Sequence, residues 1–195
     1  MKGAKEFAQD AAGIAPALRR TPIEREMDSL EDVLDDAERG VYWGTVVHAL
    51  LEFEMASPAG DLSSIAASLM EENGLDPGFA ADAVALVESV KSSGLWKRAK
   101  ASDRCMVEVP FSMLHGDTEP PTLLRGKIDL VFHEDDGWVI VDYKTDRPSG
   151  PTAEPLVATH EGQVRLYADA WKACTGEQVT EVGILFVATG EYAKV

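Results

Sequence analysis

The stretch "GKIDLVFHEDDGWVIVDYKT", residues 126–145, has the pattern of a β-hairpin. Two apolar runs flank an acidic turn, as is typical of two paired strands. The same stretch carries Asp129, Asp142 and Lys144 at positions where a strand ordinarily has uncharged residues. The fold and the function of the chain both depend on where the hairpin places these three side chains.

The turn of this hairpin has two compatible positions. A two-residue loop at Asp135–Asp136 would place Asp129 opposite Asp142, whereas a loop at Asp136–Gly137, the stronger turn signal, would place it opposite Lys144. In both registers the three charged residues share one face, because opposite residues share a face and successive residues alternate. A three-residue loop would move Asp129 to the other face.

The two faces of the predicted hairpin differ in chemistry. One is apolar and suited to a core, and it would hold Ile128, Leu130, Phe132, Val139 and Val141. On the other face, two neighbouring carboxylates resist ionising together unless a cation lies between them. Mg²⁺ and Mn²⁺ prefer such oxygen ligands, and a nearby lysine could orient a water molecule or stabilise charge on a phosphoryl group. The alternative is a solvated sheet face with a cross-strand ion pair.

The size and charge of the chain limit its function. Its 195 residues, 45% of them hydrophobic, suffice for one domain with a core, or one domain with an extension. We expect a soluble, cytoplasmic protein with no membrane association, because there is no run of 18 apolar residues and no signal sequence. The net charge of -16 argues against a free-standing nucleic-acid binder, so a role on DNA would require metal ions or a basic partner.

The two cysteines, Cys105 and Cys174, match no metal-ligand spacing. They cannot supply the four thiolates of an iron–sulfur cluster or a Cys₄ zinc site. We predict two buried free thiols, with a disulfide as the alternative.

The first half of the chain is predicted to be helical. Residues 1–40 are an acidic helical lead-in or linker, and residues 41–195 are the domain itself. From Trp43, "WGTVVHALLEFEMA" has apolar residues at helical spacing. Two helices follow, "DLSSIAASLMEENG" with Asp61 as N-cap, and "DPGFAADAVALVESVKSSG" ending near Gly94.

The second half of the chain is predicted to contain the strands. "RCMVEVPFSML" is a strand in which Pro110 indicates an edge or a bulge, and the hairpin follows it. "HEGQVRLYADAWKACTG" is a helix ending at Gly176, and "EVGILFVATGEYAKV" is a strand, a turn and a short return strand. This order predicts an α/β (α+β-like) fold, a mixed β-sheet flanked by helices behind an N-terminal helical group.

Two further pairs of polar residues have helical i,i+4 spacing. His48 precedes Glu52 by four residues in the first predicted helix, and Gln163 precedes Tyr167 by four in the last. Each pair therefore lies on one helix face. Taken alone, either pair is typical of an ordinary amphipathic helix.

The order of these motifs is more specific than any one of them. Gly44-x-x-x-His48, Gly126-x-x-Asp129, "DYKT" at residues 142–145 and Gln163-x-x-x-Tyr167 together resemble the RecB-family nuclease domain, a branch of the restriction-endonuclease-like PD-(D/E)xK superfamily. The resemblance covers residues 40–195 and is greatest to the C-terminal module of AddA- and RecB-type helicase–nucleases. Ile128 replaces the superfamily's proline, which the RecB branch tolerates.

The resemblance implies a metal site. His48, Asp129 and Asp142 would ligate Mg²⁺ or Mn²⁺, with the main-chain carbonyl of Tyr143 as a further ligand. Lys144 would position or activate the water, and it would form the catalytic group together with the two aspartates. The cysteine quartet that holds an iron–sulfur cluster in AddB and Cas4 proteins is missing, so no such cluster is expected.

The remaining roles concern the surroundings of that site. Gln163 and Tyr167 would steady it and contact the DNA strand. Glu108, in "VEVPF", and Glu52 are candidate outer-shell carboxylates.

The implied function is a metal-dependent deoxyribonuclease, an exonuclease in the nuclease module of a helicase–nuclease for double-strand-break repair and recombination. Its partners would be a DNA single strand or duplex end and a helicase domain or subunit that supplies the motor, since the chain has no Walker motif. The alternatives are a catalytically silent nuclease fold acting as scaffold or DNA-end sensor, and a stand-alone or phage exonuclease.

Overall fold

The computed structural model describes residues 30–57, 60–115, 122–146 and 154–195. Most of the predicted lead-in, residues 1–29, lies outside them. Among the helices that the structure describes, none combines the length and apolar character that crossing a lipid bilayer requires. The described chain forms two compact units, one ending at Glu88 and the other running Ser89–Val195.

The first unit is helical, as predicted. It contains α1 (Leu30–Ala56), α2 (Leu62–Glu72), a 3₁₀ turn (Pro77–Phe79) and most of α3 (Ala80–Ser92). α1 packs against α2. The predicted boundary between residues 40 and 41 falls inside α1, and the division of the chain at that point stays a prediction.

The predicted cap of α2 is confirmed. A carboxylate oxygen of Asp61 accepts hydrogen bonds from the backbone N–H groups of Ser63 and Ser64, at 3.1 and 3.4 Å. These bonds satisfy donors that have no partner within the first turn of a helix, and they fix where α2 begins.

A short helix that the sequence analysis did not predict, α4 (Gly94–Ala101), opens the second unit after the end of α3. The Ser93 hydroxyl accepts a hydrogen bond from the Trp96 N–H at 3.1 Å and caps its first turn. The signal in the sequence was Ser93 itself, because serine is a preferred N-cap residue and the apolar Leu95 and Trp96 follow within the first turn.

The second unit contains a mixed five-stranded sheet in the order β1-β2-β3-β4-β5. Its strands are β1 (Cys105–His115), β2 (Thr122–Glu134), β3 (Gly137–Lys144), β4 (Val179–Phe186) and β5 (Glu191–Lys194). β3 and β4 are parallel, and the other neighbours are antiparallel. The mixed sheet, the edge position of β1 and the short return strand are confirmed.

The hairpin adopts one of the two predicted registers. Glu134 pairs with Gly137, so Asp135–Asp136 form the two-residue turn. Continuing this register sets Asp129 opposite Asp142. The alternative, with Asp129 opposite Lys144, is not adopted.

Helix α5 (Glu154–Thr175) covers one face of the sheet. Its Leu166, Ala170 and Trp171 join Val131 and Ile140 of the hairpin in one buried cluster. α5 ends before Gly176, which has φ +74°, as the terminal glycine predicts.

Both faces of β3 are buried, which corrects the prediction of one buried and one charged face. Every residue of β3 is buried. The Arg98 guanidinium of α4 lies 5.6 Å from the ring centre of Phe132, on the face away from α5. The charged side chains therefore lie at the end of a covered sheet rather than along a solvated one.

The alternation of β2 breaks at Asp129. Ile128 and Val131 are three residues apart, yet both belong to the cluster that packs against α5. Strict alternation would place them on opposite faces. The prediction that Ile128 shares a face with Leu130 and Phe132 is therefore wrong, although all three are buried.

Both cysteines are free thiols, as predicted. Cys105 is half-buried, and burial raises the pKa of its thiol above the ordinary value. Cys174 is exposed, so the prediction that it is buried is wrong.

Candidate functional site

Three carboxylates come from three adjacent strands of the sheet. Glu108 on β1 lies between two residues that pair with Leu130 and Ile128, and it is therefore opposite Asp129. A carboxylate oxygen of Glu108 lies within 4.8 Å of one from Asp129. Asp142 on β3 would follow in the continued β2–β3 register, and its carboxylate pairs with Lys144. Sequence reasoning placed Glu108 only in an outer shell, whereas the structure sets it beside Asp129.

Asp129 is held by the backbone of β3. It is 8% exposed, and its Oδ2 accepts a hydrogen bond from the Tyr143 N–H at 2.7 Å. The N–H and C=O of one strand residue point toward the same neighbouring strand. The Tyr143 carbonyl therefore points toward the Asp129 side, where the β2–β3 ladder has ended.

A buried polar chain runs from Asp142 to α5. Lys144 Nζ lies 2.5 Å from Asp142 Oδ2 and donates to Gln163 Oε1 at 3.0 Å. Gln163 Nε2 in turn donates to Tyr167 Oη at 2.5 Å. All four side chains are at least nine-tenths buried. The structure thus brings together the predicted Asp142, Lys144, Gln163 and Tyr167.

Burial fixes the protonation of the two tyrosines at the site. The pKa of Tyr167 is raised by burial first and then by the negative charges of Asp142 and Asp129. The pKa of Tyr143 is raised well above its ordinary value by burial and by Asp129. Both phenols stay neutral at physiological pH, so Tyr167 serves as a hydrogen-bonding group and not as a base.

Glu108 has an unusual backbone conformation. Its φ is +50°, and it is the only non-glycine residue with a positive φ in the part of the chain that the structure describes. Its carboxylate forms an ion pair with Lys127. A non-glycine residue in the left-handed region is strained, and such strain concentrates at functional sites.

The other two predicted residues lie on α1 in the first unit. His48 is half-buried and Glu52 is exposed. The assignment of His48 as a metal ligand stays a prediction that rests on the motif order. That of Glu52 as an outer-shell carboxylate stays a prediction that rests on its spacing from His48.

The donor atoms of the second unit fit a hard divalent cation. Glu108 and Asp129 offer carboxylate oxygens within 4.8 Å of each other, and Tyr143 offers a carbonyl oxygen that points toward the Asp129 side. Mg²⁺ and Mn²⁺ favour such an all-oxygen set.

The family follows from a comparison with known proteins. The model of the PD-(D/E)XK nuclease superfamily matches residues 23–195. The chain belongs to this superfamily. Its mixed sheet flanked by helices is accordingly the restriction-endonuclease-like fold.

The chain is similar to AddA proteins, which are named as subunits of ATP-dependent helicase/nucleases. The one from Anoxybacillus flavithermus is 37% identical over 87 residues, 44% of this chain and 7% of that protein. Those from Carboxydothermus hydrogenoformans and Alkaliphilus metalliredigens are each 29% identical, over 88% and 85% of this chain and 17% and 14% of those proteins. The chain thus spans less than a fifth of these relatives, and its resemblance to an AddA-type nuclease module is confirmed.

Proposed function

We propose that this chain hydrolyses phosphodiester bonds in DNA with a divalent metal ion, as an exonuclease. The observations that carry this proposal are the buried Asp142–Lys144 ion pair and the hydrogen bond from the Tyr143 N–H to Asp129 at the same end of the hairpin, in a chain of the nuclease superfamily.

The proposed metal ligands are the carboxylates of Asp129 and Asp142 and the Tyr143 carbonyl. Family resemblance adds His48, and the distance to Asp129 adds Glu108. Mg²⁺ or Mn²⁺ bound there would polarise a phosphoryl oxygen and lower the pKa of a bound water.

Lys144 is the proposed catalytic cation. Asp142 and Gln163 hold its ammonium, which keeps the charge in a fixed position. From there it can donate a hydrogen bond to the attacking water or to a phosphoryl oxygen. A preorganised donor of this kind lowers the barrier because negative charge develops beside it in the transition state.

Gln163 and Tyr167 are proposed positioning residues. Tyr167 accepts from Gln163, which accepts from Lys144, so the pair orients the ammonium from α5. The family also implies contact with the DNA strand. Gln163 is only 7% exposed and Tyr167 only 2%. Their contacts therefore support a role in orienting Lys144.

The proposed setting is a helicase–nuclease that processes DNA ends in double-strand-break repair and recombination, in the cytoplasm. The relatives are named for both activities and are several times longer than this chain. A helicase domain or subunit would supply the motor and a basic DNA track. The net charge of -16 predicts weak DNA binding by this chain alone.

The test is digestion of linear single-stranded and double-stranded DNA, with Mg²⁺ or with EDTA. We compare the parent with Lys144→Gln and with Lys172→Gln, a matched change at an exposed lysine of α5. The parent and Lys172→Gln should digest DNA only with the metal, and Lys144→Gln should be slower by about 10²–10³-fold. Full activity of Lys144→Gln would overturn the assignment, and DNA binding without cleavage by the parent would favour the silent scaffold.

A further inference from the structure

The ribbon formed by residues 109–115 of β1 and 122–128 of β2 has two unlike faces. One packs against α5 through Phe111, Leu124 and Ile128. On the other face, Lys127 lies opposite Pro110 and Arg125 opposite Ser112, and all four residues are exposed. This second face is exposed to solvent at these four residues, and it belongs to the same unit as the proposed site.

The charge of this ribbon differs from that of the chain. The chain has 34 acidic and 18 basic residues, yet neither segment of the ribbon contains Asp or Glu. The connecting residues 116–121, which include Asp117 and Glu119, lie outside the described part of the chain. The exposed charged side chains of these two segments, Arg125 and Lys127, are therefore both basic on an acidic protein.

Arg125 is an exposed cation on this face. It makes no hydrogen bond, ion pair or ring contact with the residues that the structure describes. The other arginines whose side chains are described each pair with a carboxylate, Arg98 with Glu134, Arg104 with Glu177 and Arg165 with Glu161. Such a guanidinium is unusual where acids outnumber bases, and it is available to an anion.

Lys127 connects this face to the proposed site. Its side chain is 61% exposed, and its ammonium pairs with Glu108, whose carboxylate neighbours Asp129. Lys127 and Arg125 are two residues apart on one strand face, so their Cα atoms are about 6.6 Å apart. They form a basic row that begins at the site and leads away from it.

We propose that this basic row, Lys127 and Arg125, binds successive backbone phosphates of a single DNA strand that enters the site. The inference rests on the proposed function and names the surface that receives its substrate. A guanidinium binds phosphate through two parallel N–H donors, and an ammonium binds it as a point charge. Beside the row, Leu114 is 65% exposed and offers an apolar surface to the bases.

The test is the binding of a fluorescently labelled oligothymidine to the full chain in EDTA, measured by anisotropy over a range of salt concentrations. EDTA prevents metal-dependent cleavage, so binding is measured separately from the proposed hydrolysis. Arg125→Gln and Lys127→Gln should each weaken binding and reduce the slope of log K against log salt by about 0.7, and the double variant by about 1.4.

Three controls isolate the contact. Lys97→Gln removes an exposed cation on α4 that has no partner among the described residues, and it should leave the slope unchanged. Arg125→Lys should retain most of the slope. Lys127→Gln also leaves the Glu108 carboxylate without its ion-pair partner, and that negative charge would itself repel DNA. Making Lys127→Gln in a Glu108→Gln background removes this repulsion and leaves only the loss of the Lys127–phosphate contact.

The proposal is overturned if the parent fails to bind the oligonucleotide at low salt, or if the double variant binds with the parent's slope. Metal-dependent digestion by the parent in either case would leave the proposed function standing. A dimer of the parent that is lost in Arg125→Gln, with DNA binding unchanged, would assign the row to a second copy of the chain and would also overturn the proposal.

Discussion

Lys144 Nζ lies 2.5 Å from Asp142 Oδ2, and the two residues are 8% and 1% exposed. A charge pair this deeply buried requires good geometry and further hydrogen bonds to offset its desolvation. Gln163 supplies one such bond to the ammonium. The pair therefore stabilises the end of the sheet. It also contains the proposed catalytic cation, Lys144, and one of the proposed metal ligands, Asp142.

Removal of the ammonium alone should destabilise the fold. Lys144→Met leaves the buried Asp142 carboxylate without its cation and should lower the free energy of unfolding by about 3–5 kcal/mol. Asp142→Asn/Lys144→Met removes both charges and should recover most of that loss. Urea unfolding of the two variants measures the difference. Equal stabilities would show that the pair is not electrostatically coupled.

Glu108 should lower the stability of the fold through its strained backbone while its carboxylate contributes to metal binding. Its φ of +50° costs a non-glycine residue about 1–2 kcal/mol. Glu108→Gly should therefore be more stable than Glu108→Ala by about 1 kcal/mol, because glycine adopts this conformation without strain. Both variants lack the carboxylate and should bind Mn²⁺ more weakly in calorimetry. If the alanine variant is as stable as the glycine variant, position 108 is not strained.

The alignment of Asp129 with Asp142 was predictable because the period of a strand is two and the turn is short. The choice between the two turns was not, because it depends on Gly137. That glycine has φ +151° within β3, and a Cβ there would lie 2.8 Å from the Gln178 carbonyl oxygen. Its partner lies 41 residues away, beyond what the local pattern shows.

The strain at Glu108 had no signal in the sequence, since glutamate does not favour a positive φ. The burial of both faces of β3 was also not predicted, because α4 and α5 come from before and after the hairpin. The family motif order, in contrast, implied that Gln163 steadies the site, and the structure places Gln163 in hydrogen-bond contact with Lys144. Local patterns thus predicted the strands and every helix of the described chain except α4, whereas tertiary contacts determined which faces of the sheet are buried.

Gly137 should tolerate no side chain. Gly137→Ala adds a Cβ against the Gln178 carbonyl oxygen at a positive φ, and it should destabilise the fold by about 1–3 kcal/mol. Gly94→Ala is the matched control, because a Cβ there meets nothing within 4 Å. Thermal unfolding of both variants tests this, and an unchanged midpoint for Gly137→Ala would contradict the packing of the β3 start.

Glu181 should make stability depend on pH in the acidic range. Burial alone would raise its pKa, but hydrogen bonds from three groups lower it from 4.5 to about 2, those of Arg98, Lys194 and Tyr192. A carboxyl whose pKa is lower in the folded state stabilises the fold above pH 4.5, and this contribution is lost as the pH falls toward 2.

The comparison of Glu181→Gln with the parent measures that contribution. The variant should unfold at a lower temperature than the parent at pH 7, and the gap should narrow as the pH is lowered from 4.5 toward 2. A gap that stays constant with pH would mean that the ionised carboxylate contributes nothing to stability.

The most direct measurement is the rate at which linear DNA is digested with Mg²⁺ by two asparagine variants of the hairpin. Asp142→Asn removes the charge of a proposed ligand, and Asp136→Asn makes the same change at an exposed turn residue at the other end. We predict that Asp142→Asn is slower than the parent by at least about 10²-fold, with its fold intact by circular dichroism, and that Asp136→Asn matches the parent. Parent-like digestion by Asp142→Asn would contradict the account.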